Sequence, residues 1–170
     1  MSDPVPAVPA VPLPRFVCSI GQRCALIFKT EWSEVLSWGA ALTFAEYVDA
    51  FEARKGVEIF RQGQIGHYLC LLVEGRVEIV KQDSSGDRKT LAMIGPGKTF
   101  GEMSLIDGEP RSASAIALDD SKVLVLTEEN FHRLVYQYPH LGSMVLMKLA
   151  KLMSQRLRQT SDLLVDFLGG

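Results

Sequence analysis

The chain has 170 residues, 47% of them hydrophobic and 22% charged, with a formal net charge of −2. That length suits one domain with appendages and is enough to bury a sizeable core. The near-neutral balance excludes the broad basic face that nucleic-acid binding draws on, and no apolar run reaches the length of a membrane span.

The chain opens "MSDPVPAVPAVPLPR", with five of its eight prolines in the first fourteen positions. Residues 1–14 therefore read as an extended, polyproline-like lead-in with no core of its own, and they lack the basic and apolar regions of a secretory signal. Residues 15–50 form an N-terminal helical segment. Within it "RFVCSIGQRCALIFK" is apolar without a clean period and is left unassigned. "TEWSEVLSW" predicts a short helix capped by Thr30, and "ALTFAEYVDAF" a second one that becomes extended near Phe51. The three cysteines, Cys18, Cys24 and Cys70, match no metal spacing and read as reduced thiols of a cytoplasmic protein.

From 51 to 127 short β-rich runs alternate with glycine-containing turns: "EIFRQGQ", "YLCLLVEG", "RVEIVKQ", "KTLAMIGPG", "SASAIA", "KVLVLT". Many short strands at regular spacing predict a β jelly roll, with "DSSGD" as a hairpin connection. "RVEIVKQ" alternates strictly, Val77 and Ile79 on one phase and Arg76, Glu78 and Val80 on the other. Residues 128–170 return to helix. "TEENFHRLVYQY" is capped by Thr127, and Pro139 opens a helix of more than twenty residues with apolar side chains at Leu141, Val145, Leu149, Leu152, Met153, Leu157, Leu164 and Phe167. The stripe narrows towards the C-terminus into a seam at Met153, Leu157 and Leu164, the pattern of a helix that meets a second copy of itself. The predicted architecture is mainly β: a jelly roll with N-terminal helices and a long C-terminal helix.

The stretch with the most chemistry is "FGEMSLIDGEPRSASAIA", residues 100–117. Its single arginine, Arg111, enters a strand of small residues, where a buried guanidinium needs a partner for its forked donors. Gly101 before "EMSL" lets a ligand approach backbone amides closely, and Glu102 supplies an acceptor suited to sugar hydroxyls. A forked cation, free amides and one carboxylate fit a phosphate beside a ribose. No Walker lysine, GxGxxG or metal-binding carboxylate cluster prepares that phosphate for transfer, and no nucleophile–base pair is apparent, so the chain does not read as an enzyme.

This stretch resembles the phosphate-binding cassette of the cyclic nucleotide-binding domain family: Phe-Gly-Glu, a small residue, Leu, a five-residue spacer and Arg-Ser-Ala, without a gap. "LLVEGRVEIV" matches the family's second signature. The resemblance implies that Glu102 accepts from the ribose 2′-hydroxyl and Arg111 binds the cyclic phosphate. It also implies that the amides of Gly101, Met103 and Ser104, together with Ser112, complete the cradle. "QRLRQTSDLL" is similar to the C-terminal helix of the bacterial catabolite-activator sensor domains and places Thr160 and Ser161 where the purine is met. cAMP is then the favoured ligand, with cGMP the alternative; no cofactor or metal is expected.

His67, His132 and His140 are too scattered for a metal site, and Asp107 and Glu109 read as turn acids. The leading expectation is a stand-alone cyclic-nucleotide sensor that signals to an effector protein the sequence does not name, as a homodimer through its last helix. It would bind neither DNA directly nor a membrane. The other readings are the ligand-binding part of a transcription regulator and a regulatory subunit of a separate enzyme or transporter.

Overall fold

A computed structural model describes residues 11–169, so the first ten residues of the proline-rich lead-in lie outside the described part. Val11 and Leu13, where composition reads as coreless, pack against the core, and the main chain of Pro14 and Phe16 bonds to Glu52 and Ala50 along the first strand. Helix α1, Ile20–Phe28, occupies the stretch left unassigned. Its signal is a capping box, in which the Ser19 hydroxyl accepts from the Gln22 amide and the Gln22 side chain accepts from the Ser19 amide. A 3-10 helix, Glu31–Glu34, is capped by Thr30 as expected, and α2, Trp38–Phe44, starts earlier than the sequence indicates because Ser37 caps it.

Eight strands follow: β1 (Asp49–Ala53), β2 (Glu58–Phe60), β3 (Tyr68–Glu74), β4 (Val77–Gln82), β5 (Arg88–Ile94), β6 (Thr99–Phe100), β7 (Ser114–Ala117) and β8 (Ser121–Thr127), with α3 (Glu102–Asp107) between β6 and β7. They form two four-stranded sheets in the orders β1-β8-β3-β6 and β2-β7-β4-β5, every pairing antiparallel. This is the expected jelly roll flanked by helices.

The apolar runs "YLCLLV" and "VLVL" have a physical cause. β3 and β8 are buried on both faces, sending Tyr68, Cys70, Leu72, Val123 and Val125 into the roll and Leu69, Leu71, Leu124 and Leu126 against the helices. The strict alternation read in β4 fails at one point. Val80 is buried although it stands on the phase opposite to Val77, and beside it the pairing with β5 slips, leaving Leu91 of β5 as the extra residue of a bulge.

Helix α4, Glu128–Gln137, takes Thr127 as its N-cap, and α5, Pro139–Leu168, runs 30 residues, about 45 Å at 1.5 Å per residue. Its Leu141, Val145, Leu149 and Leu152 are buried against β3, β8 and the N-terminal helices. Gly142 sits where a Cβ would come within 2.9 Å of Val135, so only glycine lets α4 and α5 approach this closely. Beyond Leu152 the helix leaves the core: Leu157, Leu163, Leu164, Val165, Phe167 and Leu168 are all exposed.

Candidate functional site

β6 delivers the chain to Gly101, whose φ of 75° starts α3, and Gly108 at 71° ends it. A Cβ on Gly101 would lie 2.9 Å from an Arg111 nitrogen and 3.0 Å from Phe60, so both its backbone angle and its surroundings require glycine. After the turn, in which Asp107 accepts from the Glu109 amide, the main chain of Arg111 is locked to the β2–β3 loop. Its amide donates to Gln64 O at 2.9 Å and its carbonyl accepts from Gly63 N at 2.7 Å.

The Arg111 side chain is 3% exposed. Nη1 donates to Gly101 O at 2.7 Å and Nη2 to Tyr68 O at 2.8 Å, while Nε is buried without a partner. The guanidinium lies over Phe60 at 4.0 Å and Tyr68 at 4.4 Å from the ring centroids. Carbonyl dipoles and ring faces make this cation tolerable but leave it without a counter-charge. Burial pushes the Tyr68 hydroxyl well above its ordinary range and the Cys70 thiol beneath it up to about 12, so neither supplies an anion.

Glu102, 2% exposed, is the nearby carboxylate, and it does not pair with Arg111. Its Oε1 accepts from Arg156 of α5, whose other terminal nitrogen donates to Thr99 O, and its Oε2 is buried with no partner. The site therefore holds a buried cation lacking an anion and, one residue from that cation's carbonyl partner, a carboxylate oxygen lacking a donor.

The structure brings Gly101, Glu102, Met103, Ser104, Arg111 and Ser112 into one cluster around α3. Ser104 is buried, Met103 is half exposed, and the Ser112 hydroxyl lies 3.9 Å from the Met103 sulfur. Thr160 and Ser161 stand apart, exposed on the free half of α5, with the Ser161 hydroxyl bonded back to Leu157 O at 2.9 Å. Arg156, Phe60 and Tyr68 are site residues that sequence reasoning missed. Arg156 had a signal: it continues the face of Leu149 and Leu152 at i+7 and i+4, a cation in phase with a buried stripe. His67 bonds Glu128 at 2.8 Å, with His132 3.8 Å from the same carboxylate, and no group able to hold a metal occurs among the described residues.

The family profile described as "Cyclic nucleotide-binding domain" matches residues 50–138, from β1 to the end of α4 and across the whole cassette. The chain belongs to the cyclic nucleotide-binding domain family. Within this family it is 41% identical over 114 residues to the cyclic AMP receptor protein of Thermus thermophilus, a match covering 67% of this chain and 50% of that one. The crystal structure of the Thermus thermophilus catabolite activator protein is similar at a TM-score of 0.71 and 35% identity, over 85% of this chain and 63% of the other. A cyclic nucleotide-binding domain from Methylobacillus flagellatus aligns at a TM-score of 0.75 and 29% identity, covering 84% and 80%. The chain spans about half the length of the curated bacterial relatives it matches.

Proposed function

We propose that this cyclic nucleotide-binding domain is a sensor for cAMP, bound in preference to cGMP, and that it passes the signal to a partner protein through α5. One observation carries the reading: a buried guanidinium without an anion and a buried carboxylate oxygen without a donor both sit at the start of α3. A cyclic phosphate on Arg111 supplies the missing charge, and the free Nε completes a fork with a terminal nitrogen. A ribose 2′-hydroxyl donating to Glu102 Oε2 fills the other vacancy while Arg156 keeps Oε1. The amides at the start of α3 and the Ser112 hydroxyl line the phosphate's remaining oxygens.

Signalling requires contacts that the ligand makes in one state and not in another. The cassette is braced by β3 and β6, so it supplies affinity; α5 packs in the apolar core only up to Leu152, is tied to the cassette by Arg156, and carries Thr160 and Ser161 beyond it. Nucleotide draws this half of the helix over the purine, where the two hydroxyls meet the adenine amino group. Leu146, Ala150, Met153, Leu157, Thr160, Leu164 and Phe167 recur at alternating spacings of 4 and 3 along α5, the register of a two-helix seam with one polar position. The homodimer forms there.

A second reading, the ligand-binding part of a transcription regulator, is favoured by the half of each of these relatives that the match leaves uncovered. It shares the same site and differs only in what α5 drives. Calorimetric titration with cAMP, cGMP and cyclic di-GMP, followed by capture of partners with and without the tightest ligand, tests both. Absence of heat with all three nucleotides contradicts the sensor reading, and ligand-dependent, sequence-selective retention of duplex DNA favours the regulator.

A further inference from the structure

Three charged side chains are buried among the described residues: Glu102, Arg111 and Lys148. The first two belong to the nucleotide site, and Lys148 does not. It lies on the inward face of α5 between Val145 and Leu152, 3% exposed, and its ammonium donates to Glu34 Oε2 at 3.0 Å. Glu34, the last residue of the 3-10 helix, is itself 61% exposed. An apolar side chain at 148 would pack without the desolvation that a buried ammonium costs, so the pair is poorly explained as a stabiliser. Its hydrogen bond and charge hold the Glu34 carboxyl below the ordinary carboxylate range, so the partner is an anion at neutral pH.

The same 3-10 helix grips the strand that leads into the cassette. Glu31 Oε1 accepts from the Thr99 amide at 3.0 Å, and the Trp32 indole donates to the Thr99 hydroxyl at 2.8 Å, with both Trp32 and Thr99 fully buried. Thr99 O is in turn the acceptor for Arg156. The contacts form a closed circuit: 3-10 helix to β6, β6 to Arg156, along α5 to Lys148, and back to the 3-10 helix. Lys148 and Arg156 are eight residues apart, about 12 Å along the axis and about 80° around it. A slip of one residue, about 1.5 Å and 100°, would carry Arg156 off Glu102.

We infer that Glu34 and Lys148 are a positioning pair that fixes the register of α5, so that Arg156 arrives at Glu102 and Thr99 and the 3-10 helix becomes part of the nucleotide switch. This rests on the cAMP reading above. A mixed charge pair on an otherwise apolar contact selects one register where Leu or Met would tolerate several.

The test is a double-mutant cycle in the full chain between Glu34→Gln/Lys148→Met, which leaves no unpaired buried charge, and Arg156→Ala. Cyclic AMP affinity and hydrogen exchange of residues 153–168 are the readouts. With Arg156 present, removing the pair should weaken cAMP about 3- to 10-fold and speed exchange at 153–158 by a similar factor, the size of a coupling between interacting residues. In the Arg156→Ala background the same change should alter neither. Equal effects in both backgrounds, or no effect in either with a melting temperature close to wild type, overturn the inference. The exchange arm needs no nucleotide, so a chain that failed to bind cAMP would contradict the ligand reading while the pair's role was still decided.

Discussion

Replacing Arg111 separates its two roles, one in the fold and one at the ligand. Arg111→Met keeps the length of the stem and its packing on Phe60 and Tyr68 but orphans the carbonyls of Gly101 and Tyr68, which now accept at 2.7 and 2.8 Å. Each buried acceptor left unpaired costs about 1–3 kcal/mol. Against this, the variant no longer buries a cation without a counter-charge, which recovers part of the loss. The net destabilisation should be about 1–3 kcal/mol, or a fall in melting temperature of about 2–12 °C for a chain of this size. The ligand loses a charge-assisted fork to its phosphate, worth about 1.5–3 kcal/mol, or roughly 10- to 150-fold in affinity. Arg111→Lys keeps the charge without the fork and should fall between the two. The assay is thermal unfolding with and without cAMP. At a hundred times its dissociation constant, the ligand stabilises wild type by about 2.7 kcal/mol, and Arg111→Met at the same concentration, binding roughly 10- to 150-fold more weakly, should gain only about 0.3–1.4 kcal/mol. A folded Arg111→Met variant whose melting point rises with cAMP as much as wild type refutes the assignment of the phosphate to Arg111.

Glu102 Oε2 is buried and unpartnered, so 2′-deoxy-cAMP, which leaves it so, should bind at least about tenfold more weakly than cAMP; in Glu102→Ala the two should bind alike, and equal binding to wild type takes the carboxylate off the sugar. Leu157 and Leu164 are exposed, so Leu157→Glu/Leu164→Glu should leave the melting temperature of the single chain unchanged while shifting sedimentation from dimer to monomer. A dimer that persists moves the seam elsewhere. Acid should unfold the protein partly through two surface carboxylates. Asp83 is held below the ordinary range by the Asp87 and Ser85 amides and Asp119 by Arg76. Their folded-state values are lowered, so what they contribute is whole above the ordinary aspartate value of 3.8 and is lost as pH falls through the lowered ones. Asp119→Asn should flatten the acid limb of a melting-temperature profile, and an unchanged limb removes Asp119 from the account.

Much of the architecture is legible because it is written in local pattern. Turn glycines spaced between short β-rich runs announce the roll, and Thr30 and Thr127 mark helix starts with their own side chains. The cassette is legible because Gly101, Glu102 and Arg111 stand in one contiguous stretch. What escapes is long-range. That Arg111 lies over Phe60 and Tyr68, and that Arg156 reaches back 54 positions to Glu102, depends on how β2, β3 and α5 converge. No window of sequence contains both partners. The bulge at Leu91 is invisible for a related reason, since the slip exists only against β4. The Ser19 capping box was local and readable, and its meaning was masked by an apolar stretch without period.

Hydrogen exchange of the full chain with and without saturating cAMP tests the central claim most directly, because it reads the cassette and the helix together. The account requires slowed exchange at two places at once: residues 100–112, where the phosphate and ribose fill the vacancies of Arg111 and Glu102, and residues 153–167 of α5, which close over the purine. Protection confined to the cassette would leave binding intact and deny the helix its part in the signal. Unchanged exchange at both places would contradict the account as a whole.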